Sequence, residues 1–424
     1  MSGPRRGLHL LEVGLLWPPE TFLCWKLERL AARGFRVTVA STTRRRDAKA
    51  RLEGVELECI PYWGEARAVV AFGVARDGLR LLLRSPRRFA ALISAARRPL
   101  PPGGRKKGLW DVLPLLRSYL RLAALRPNVV HFEWNSAAVH YLPLYEIWNC
   151  PVVISCHGSD VNIRPHTPLG ERLAAFMPAS FEKASAVHCV SEAIAREATR
   201  FGLEPAKARL IRPAVDPAFF TPSVEGNGRE SPDGDEHSEF RVLAIGDFRW
   251  LKGHEYAIQA IRHLADRGVP VRFDILGGGE EDRIRHTIED LALGERVNVH
   301  GDVPSAEVRR RLQRADALLH ASLSEGTPTA VLEAMACRVP VVVTDCGGVR
   351  EAVLDGVEGI VVGVRESKEM AAALEKLWRD PALRRRMGRA GRARVESEFT
   401  LAEQVDRFVE LYEGVAAAPG GAGA

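Results

Sequence analysis

Short continuous apolar runs recur along the chain, each followed by a stretch with helical spacing. In the first half the runs are residues 8–16, 36–40, 129–132, 152–155 and 186–190. In the second half they are 241–245, 272–276, 297–299, 317–320, 339–343 and 359–362. Runs rich in Val, Ile and Leu, separated by helices, predict parallel strands covered on both faces. The expected fold class is therefore α/β, with two doubly wound Rossmann-like domains. Ligands in such folds sit beyond the carboxyl ends of the strands, and a cleft between the two domains is the expected site.

The stretch 221–239 reads TPSVEGNGRESPDGDEHSE and is nearly free of apolar residues. Gly, Pro, Ser and acids in that density predict a linker. The expected division is an N-terminal domain at 1–220, the linker at 221–239 and a C-terminal domain at 240–398. A last helix at 399–415 is expected to pack back towards the first domain, with a disordered tail at 416–424.

Composition narrows the class. The 424 residues are 46% hydrophobic and 27% charged, which fits a folded globular protein and excludes a collagen, a coiled coil or a membrane bundle. Seven cysteines lie far apart with no CxxC pair, so neither a disulfide framework nor a zinc ribbon is expected. That usage points to a reducing, cytoplasmic setting. The most apolar long window, 134–156, contains Glu146, Pro143 and Pro151 and makes a poor membrane span.

Charge is distributed unevenly. Residues 1–225 hold 33 Lys+Arg against 20 Asp+Glu, whereas the remainder is net acidic. The excess concentrates in a basic helical insert at about 64–127, with 14 Lys+Arg against Glu65, Asp77 and Asp111. Arg84, Arg87, Arg88, Arg97, Arg98, Arg105, Lys106 and Lys107 alternate there with leucine clusters. A basic surface with an apolar face suits an anionic membrane, which would place the protein peripherally at the inner face. No nucleic-acid motif accompanies it, so no nucleic acid is expected as a partner.

The densest candidate chemistry is residues 322–351. A loop, Glu325-Gly326-Thr327-Pro328-Thr329, leads from the strand at 317–320 into a helix running to about Cys337. Gly326 allows close backbone approach, and Pro328 suits the first helical turn. The free amides of residues 327–330 then offer an anion site. Glu325 can reach a ligand lying over the helix N-terminus. Glu333, eight residues on, can accept two vicinal hydroxyls one turn deeper. In a second segment, IGDFRWLKG at 245–253, a strand ends in a basic turn where Lys252 and Arg249 can meet a diphosphate. A third, ISCHGSD at 154–160, puts His157 at the carboxyl end of a strand. Ser191 is placed to cap a following helix.

Glu325, Glu333, Met335, Pro340-Val341-Val342 and Gly347-Gly348 resemble the signature of the retaining glycosyltransferases of family 4, which have the GT-B fold. The first loop, PPETF at 18–22, resembles an exopolysaccharide-type subset. The resemblance implies that the C-terminal domain binds a nucleotide sugar and the N-terminal domain faces the acceptor. It assigns Glu325 to the donor sugar, Glu333 to the ribose, and the backbone at Gly326, Thr327, Pro328 and Thr329 to sugar hydroxyls and phosphate. It places His157 beside the donor sugar and the segment Val299, His300 and Gly301 around the nucleobase. Glu325, His157 and Lys252 become the catalytic candidates. Glu20, Thr21, Glu133 and Asp160 become acceptor-side candidates.

Gly246, Lys252 and Gly253 match the family pattern, but its usual arginine position holds Asp247, with Arg249 two residues later. The implied activity is transfer of a sugar to a glycan or lipid-linked acceptor in cell-surface polysaccharide synthesis, with no cofactor and no metal. A sugar-nucleotide epimerase or hydrolase, and a non-catalytic sugar-nucleotide-binding scaffold, are the alternatives.

Overall fold

Two all-parallel sheets organise the chain, one in each of two units. The computed structural model describes residues 7–42, 51–60, 66–96, 109–168, 170–223 and 239–418. The first unit comprises residues 1–211 with 405–424, and the second residues 212–404.

The first sheet contains β1 (His9–Leu15), β2 (Arg36–Ser41), β3 (Val55–Cys59), β4 (Val129–Phe132), β5 (Val152–Cys156), β6 (Ala186–Cys189) and β7 (Ala208–Leu210). Their order is β3-β2-β1-β4-β5-β6-β7. The second contains β8 (Phe240–Ile245), β9 (Val271–Leu276), β10 (Val297–Val299), β11 (Ala317–His320), β12 (Val341–Thr344) and β13 (Gly359–Val362), in the order β10-β9-β8-β11-β12-β13. Strand order reverses between β1 and β4 and between β8 and β11. Such switch points open a crevice at the carboxyl edge.

The central strands β4, β5, β6, β11 and β12 are buried at every position. This is why they read as unbroken apolar runs. Two strands escaped the sequence reading, and both are edges. β3, VELEC, is half exposed, and its Glu56 and Glu58 pair with Arg36 and Arg121. β7 has only three residues. Neither carries the apolar run that marks a doubly covered strand.

The unit boundary at residues 211/212 lies ahead of the expected linker, most of which falls outside the described residues. Residues 212–223 belong with the second unit for a visible reason. Val215 N donates to Phe399 O at 3.0 Å, Leu401 N donates to Val215 O at 3.0 Å, and Arg392 Nη1 donates to Phe220 O at 2.8 Å. The last helix, Leu401–Ala417, carries Phe408 and Tyr412 into the first unit's core. It extends two residues into the stretch expected to be disordered, because alanines are the best helix formers. Residues 419–424 lie outside the described residues.

The basic insert forms helices Arg67–Arg84, Pro86–Ala96 and Leu109–Ala124. Asp77 is buried between Arg76 (2.7 Å) and Arg117 (3.4 Å). Arg97, Arg98, Arg105, Lys106 and Lys107 lie outside the described residues.

Candidate active site

In the second unit the turns at the carboxyl edge are tied to one another by backbone bonds. Gly277 N donates to Gly301 O (2.9 Å), Gly246 N to Leu276 O (2.9 Å), Leu323 N to Leu251 O (2.8 Å) and Gly348 N to Gly326 O (2.8 Å). Two glycines make this closeness possible. A Cβ on Gly253 (φ +63°) would stand 2.1 Å from Ala321 O, and one on Gly347 (φ +56°) 1.8 Å from Glu325 O. A side chain at either position would force the turns apart.

Glu325 sits where these turns meet. Its Oε1 accepts from Lys252 Nζ at 2.7 Å, Ser322 Oγ at 2.7 Å and His320 Nε2 at 3.1 Å. Burial alone would raise its pKa. The His320 bond and the Lys252 charge outweigh burial and hold the carboxyl far below the carboxylate range, so it stays ionised. Glu333 has the opposite environment. Burial pushes its carboxyl up to about 8, with nothing to offset it. The helix between them, Thr329–Ala336, starts one residue later than expected. Pro328 is its cap, with φ −76° and ψ 118°, rather than its first turn.

Lys252 closes a short 3-10 turn, Trp250–Lys252. The buried His254 donates its Nε2–H to Gly246 O (3.2 Å) and Asp247 O (3.1 Å), which pins the strand-to-turn junction ahead of Lys252. Arg249 is engaged locally: its Nη2 lies 2.7 Å from Asp247 Oδ2. The departure from the family pattern therefore carries its own counter-ion. At the end of β10, the His300 ring is engaged by Asp274 (2.8 Å) and Arg311 (2.9 Å).

In the first unit, His157 follows β5. Trp134 lies 4.8 Å from its ring centroid, and the edge of Phe22 at 6.2 Å. Burial lowers its pKa to about 4, so the ring is neutral at neutral pH. Its Nε2 faces Glu133 Oε2 at 3.4 Å. The four acceptor-side candidates separate here. Glu20 and Thr21 are exposed at the start of helix Thr21–Ala32. Glu133 is 1% exposed and Asp160 3%. Glu133 is bonded by Lys26 through one oxygen and faces His157 with the other. Asp160 accepts from Asn135 N at 3.2 Å and lies 3.5 Å from Arg164 Nε. Glu133 and Asp160 are both buried, unlike Glu20 and Thr21.

Behind His157 lies a network that the sequence reading did not find. His188 donates Nε2–H to Ile211 O (2.8 Å), which leaves Nδ1 to accept from Ser155 Oγ (2.7 Å). Ser155 Oγ then accepts from His131 Nε2 (2.8 Å). His131 Nδ1 faces the Tyr412 hydroxyl (2.8 Å) and Glu12 Oε1 (3.2 Å). Glu12, His131 and Glu133 together have metal-ligand spacing. Lys26 Nζ, bonded to both carboxylates, already supplies the positive charge between them. In the second unit His320, Ser322 and His254 were likewise missed. The available signal was a polar residue at the end of, or inside, an otherwise apolar strand.

Fold and site define a protein with two Rossmann-like units and, in the second, a helix N-terminus beside an ionised glutamate. Two family models match it: Glycosyltransferase Family 4 over residues 26–219 and Glycosyl transferases group 1 over residues 230–394. The chain belongs to the family 4 glycosyltransferases.

It is 28% identical over 341 residues to a D-inositol 3-phosphate glycosyltransferase of Paenarthrobacter aurescens, covering 74% of this chain and 82% of the relative. It is 29% identical over 307 residues to the amylovoran biosynthesis glycosyltransferase AmsK of Erwinia amylovora, covering 68% and 70%. The Anabaena protein HepE, solved in complex with UDP and glucose, shares the fold with a TM-score of 0.71. Its identity is 17%, over 96% of this chain and 100% of that one. Sucrose-phosphate synthase of Thermosynechococcus elongatus superposes with a TM-score of 0.75 at 18% identity, over 97% and 100%.

Proposed function

We propose that the chain transfers a sugar, with retention of anomeric configuration, from a nucleotide-sugar donor to a glycan or lipid-linked acceptor in cell-surface polysaccharide synthesis. One observation carries this: an ionised Glu325, bonded to Lys252, at the mouth of the helix whose next turns hold Glu333. Lys252 and the amides at Gly326–Thr329 stabilise the departing diphosphate, where preorganised donors act most strongly. Glu325 serves the sugar as positive charge develops on it. Glu333 accepts the ribose hydroxyls. Arg249 assists only if its Asp247 pair opens. AmsK and the colanic acid glycosyltransferase WcaL of Salmonella typhimurium, 31% identical over 53% of this chain and 54% of the relative, support the polysaccharide setting. HepE's complex with UDP-glucose supports the donor class.

Positive protein groups at the diphosphate fit a transfer without a bound metal. Product analysis by proton NMR in the presence of EDTA tests both statements. A product with the donor's anomeric configuration, formed at an undiminished rate, is expected. An inverted product, or a rate abolished by EDTA, contradicts the proposal.

The acceptor is reached at an anionic membrane surface. No described helix is long and apolar enough to cross a membrane. The insert helix Arg67–Arg84 exposes Val69, Phe72 (71%), Leu79 and Leu83 (75%) on one face, beside Arg76 and Arg80. The one acid in that helix, Asp77, is buried and paired. An apolar stripe flanked on its own helix by exposed arginines suits anionic lipid.

A further inference from the structure

Three donors converge on one oxygen of Glu325, and they are not equivalent. Lys252 comes from the turn after β8 on a long flexible stem. His320 and Ser322 come from the end of β11, and both are buried. Thr344 Oγ1, on the neighbouring strand, is directed at the carbonyls of both His320 and Ser322, fixing the backbone that carries them. A carboxylate offers about four acceptor positions. Among the described residues the donors occupy Oε1 and none reaches Oε2.

We propose that His320 and Ser322 are positioning residues that hold Glu325 by Oε1 and turn Oε2 towards the donor sugar. This rests on the assignment of Glu325 to the sugar. With two fixed donors on Oε1, Lys252 can move to the diphosphate without leaving a buried carboxylate unsatisfied, a loss that would otherwise be costly. Lys252 has three N–H donors and rotates freely, so it can serve phosphate and carboxylate in turn. His320 is held as the Nε2–H tautomer, since an ionised carboxylate only accepts. The other charged or titratable groups around the cluster are His254, Asp247, Asp345 and Cys346. None of them donates to Glu325.

Isothermal calorimetry on the full chain tests this. UDP-, GDP- and ADP-glucose are compared with their parent diphosphates, giving for each pair a ratio of sugar-nucleotide to nucleotide affinity. Ser322→Ala and His320→Leu should each lower that ratio by about tenfold, as expected for loss of one hydrogen bond to a charged group, while parent-nucleotide affinity stays within about twofold. His320→Gln, which keeps an N–H donor, should restore most of the ratio. A merely structural role would weaken both ligands together and would not be rescued by Gln. Should His320→Leu fail to fold, Ser322→Ala and His320→Gln still decide the matter. If the ratio is unchanged in Ser322→Ala and His320→Leu but collapses in Glu325→Gln, the positioning role is overturned. If Glu325→Gln leaves the ratio unchanged, or no nucleotide binds the wild type, the underlying assignment of Glu325 fails instead.

Discussion

Each unit places a carboxylate and a lysine at the switch point of a parallel sheet, yet the two arrangements work differently. In the first unit Glu12 and His131 lie inside strands, and Lys26, Glu133, Ser155, His188 and Tyr412 close the network around them. Glu12, Lys26 and Glu133 are all at most 3% exposed. In the second unit Glu325 and Lys252 lie just past the strand ends, and among the described residues no donor reaches one of the carboxylate oxygens. A closed network holds a fold together and positions its neighbour, here His157. An open one can exchange partners with a ligand. Buried charge is therefore not by itself a mark of a binding site. Nor is a free lone pair enough, since among the described residues Glu12 Oε2 has no hydrogen-bond partner yet is sealed from solvent, whereas the Glu325 side chain stays partly exposed. An unfilled oxygen on an accessible carboxylate is the better mark.

The largest effect should come from breaking the closed network. Lys26→Met leaves two buried carboxylates without their cation, a change that typically costs about 3–5 kcal/mol. Denaturant unfolding should show that loss in the first unit's transition. Nucleotide binding by the second unit should persist below the transition. A variant as stable as wild type would mean that Lys26 is incidental. Next, Lys252→Ala should lower turnover by at least ~10², or ~3 kcal/mol of transition-state stabilisation, with little change in stability. Wild-type turnover would remove Lys252 from the reaction.

A third test uses pH. Glu333 has a folded pKa of about 8 against an ordinary 4.5. Between those values the folded chain holds a proton that the unfolded chain has lost, so this group's contribution to stability falls as pH rises from 4.5 to 8. Glu333→Gln removes that loss. The variant should gain on wild type across the window, by up to ~4 kcal/mol at pH 8. Parallel melting temperatures for the two proteins from pH 5 to pH 8 would contradict the buried, uncompensated carboxyl.

The smallest effect concerns the lipid face. Arg80→Ala should weaken binding to phosphatidylserine vesicles by about 1 kcal/mol, with less salt dependence than wild type. Co-sedimentation that is insensitive to salt in both proteins would remove the membrane surface.

Much of the second unit's site was legible because its parts are contiguous. Glu325, Gly326 and Glu333 lie on one loop and the helix after it, and Lys252 follows a strand within a single turn. The buried central strands were legible for the same reason, since local apolar runs mark them. The first unit's network was not. Glu12, Lys26, His131, Ser155, His188 and Tyr412 are spread over 400 residues, and each is one polar residue among apolar neighbours. The parallel pairing of β1, β4, β5 and β6, with the first and last helices packed on it, brings them together. The burial of Glu133 and Asp160 was not legible for a related reason: sequence places a carboxylate beyond a strand end but does not say whether it points out or in. The Asp247–Arg249 pair shows the limit of motif transfer. Two residues displaced from a pattern satisfy each other locally.

Ligand-observed NMR against UDP-, GDP-, ADP- and dTDP-sugars tests the central claim most directly. One donor should bind selectively to the wild-type chain, and that binding should be lost in Glu333→Ala. A folded wild-type protein that binds none of them, or a donor bound equally well by Glu333→Ala, would contradict it.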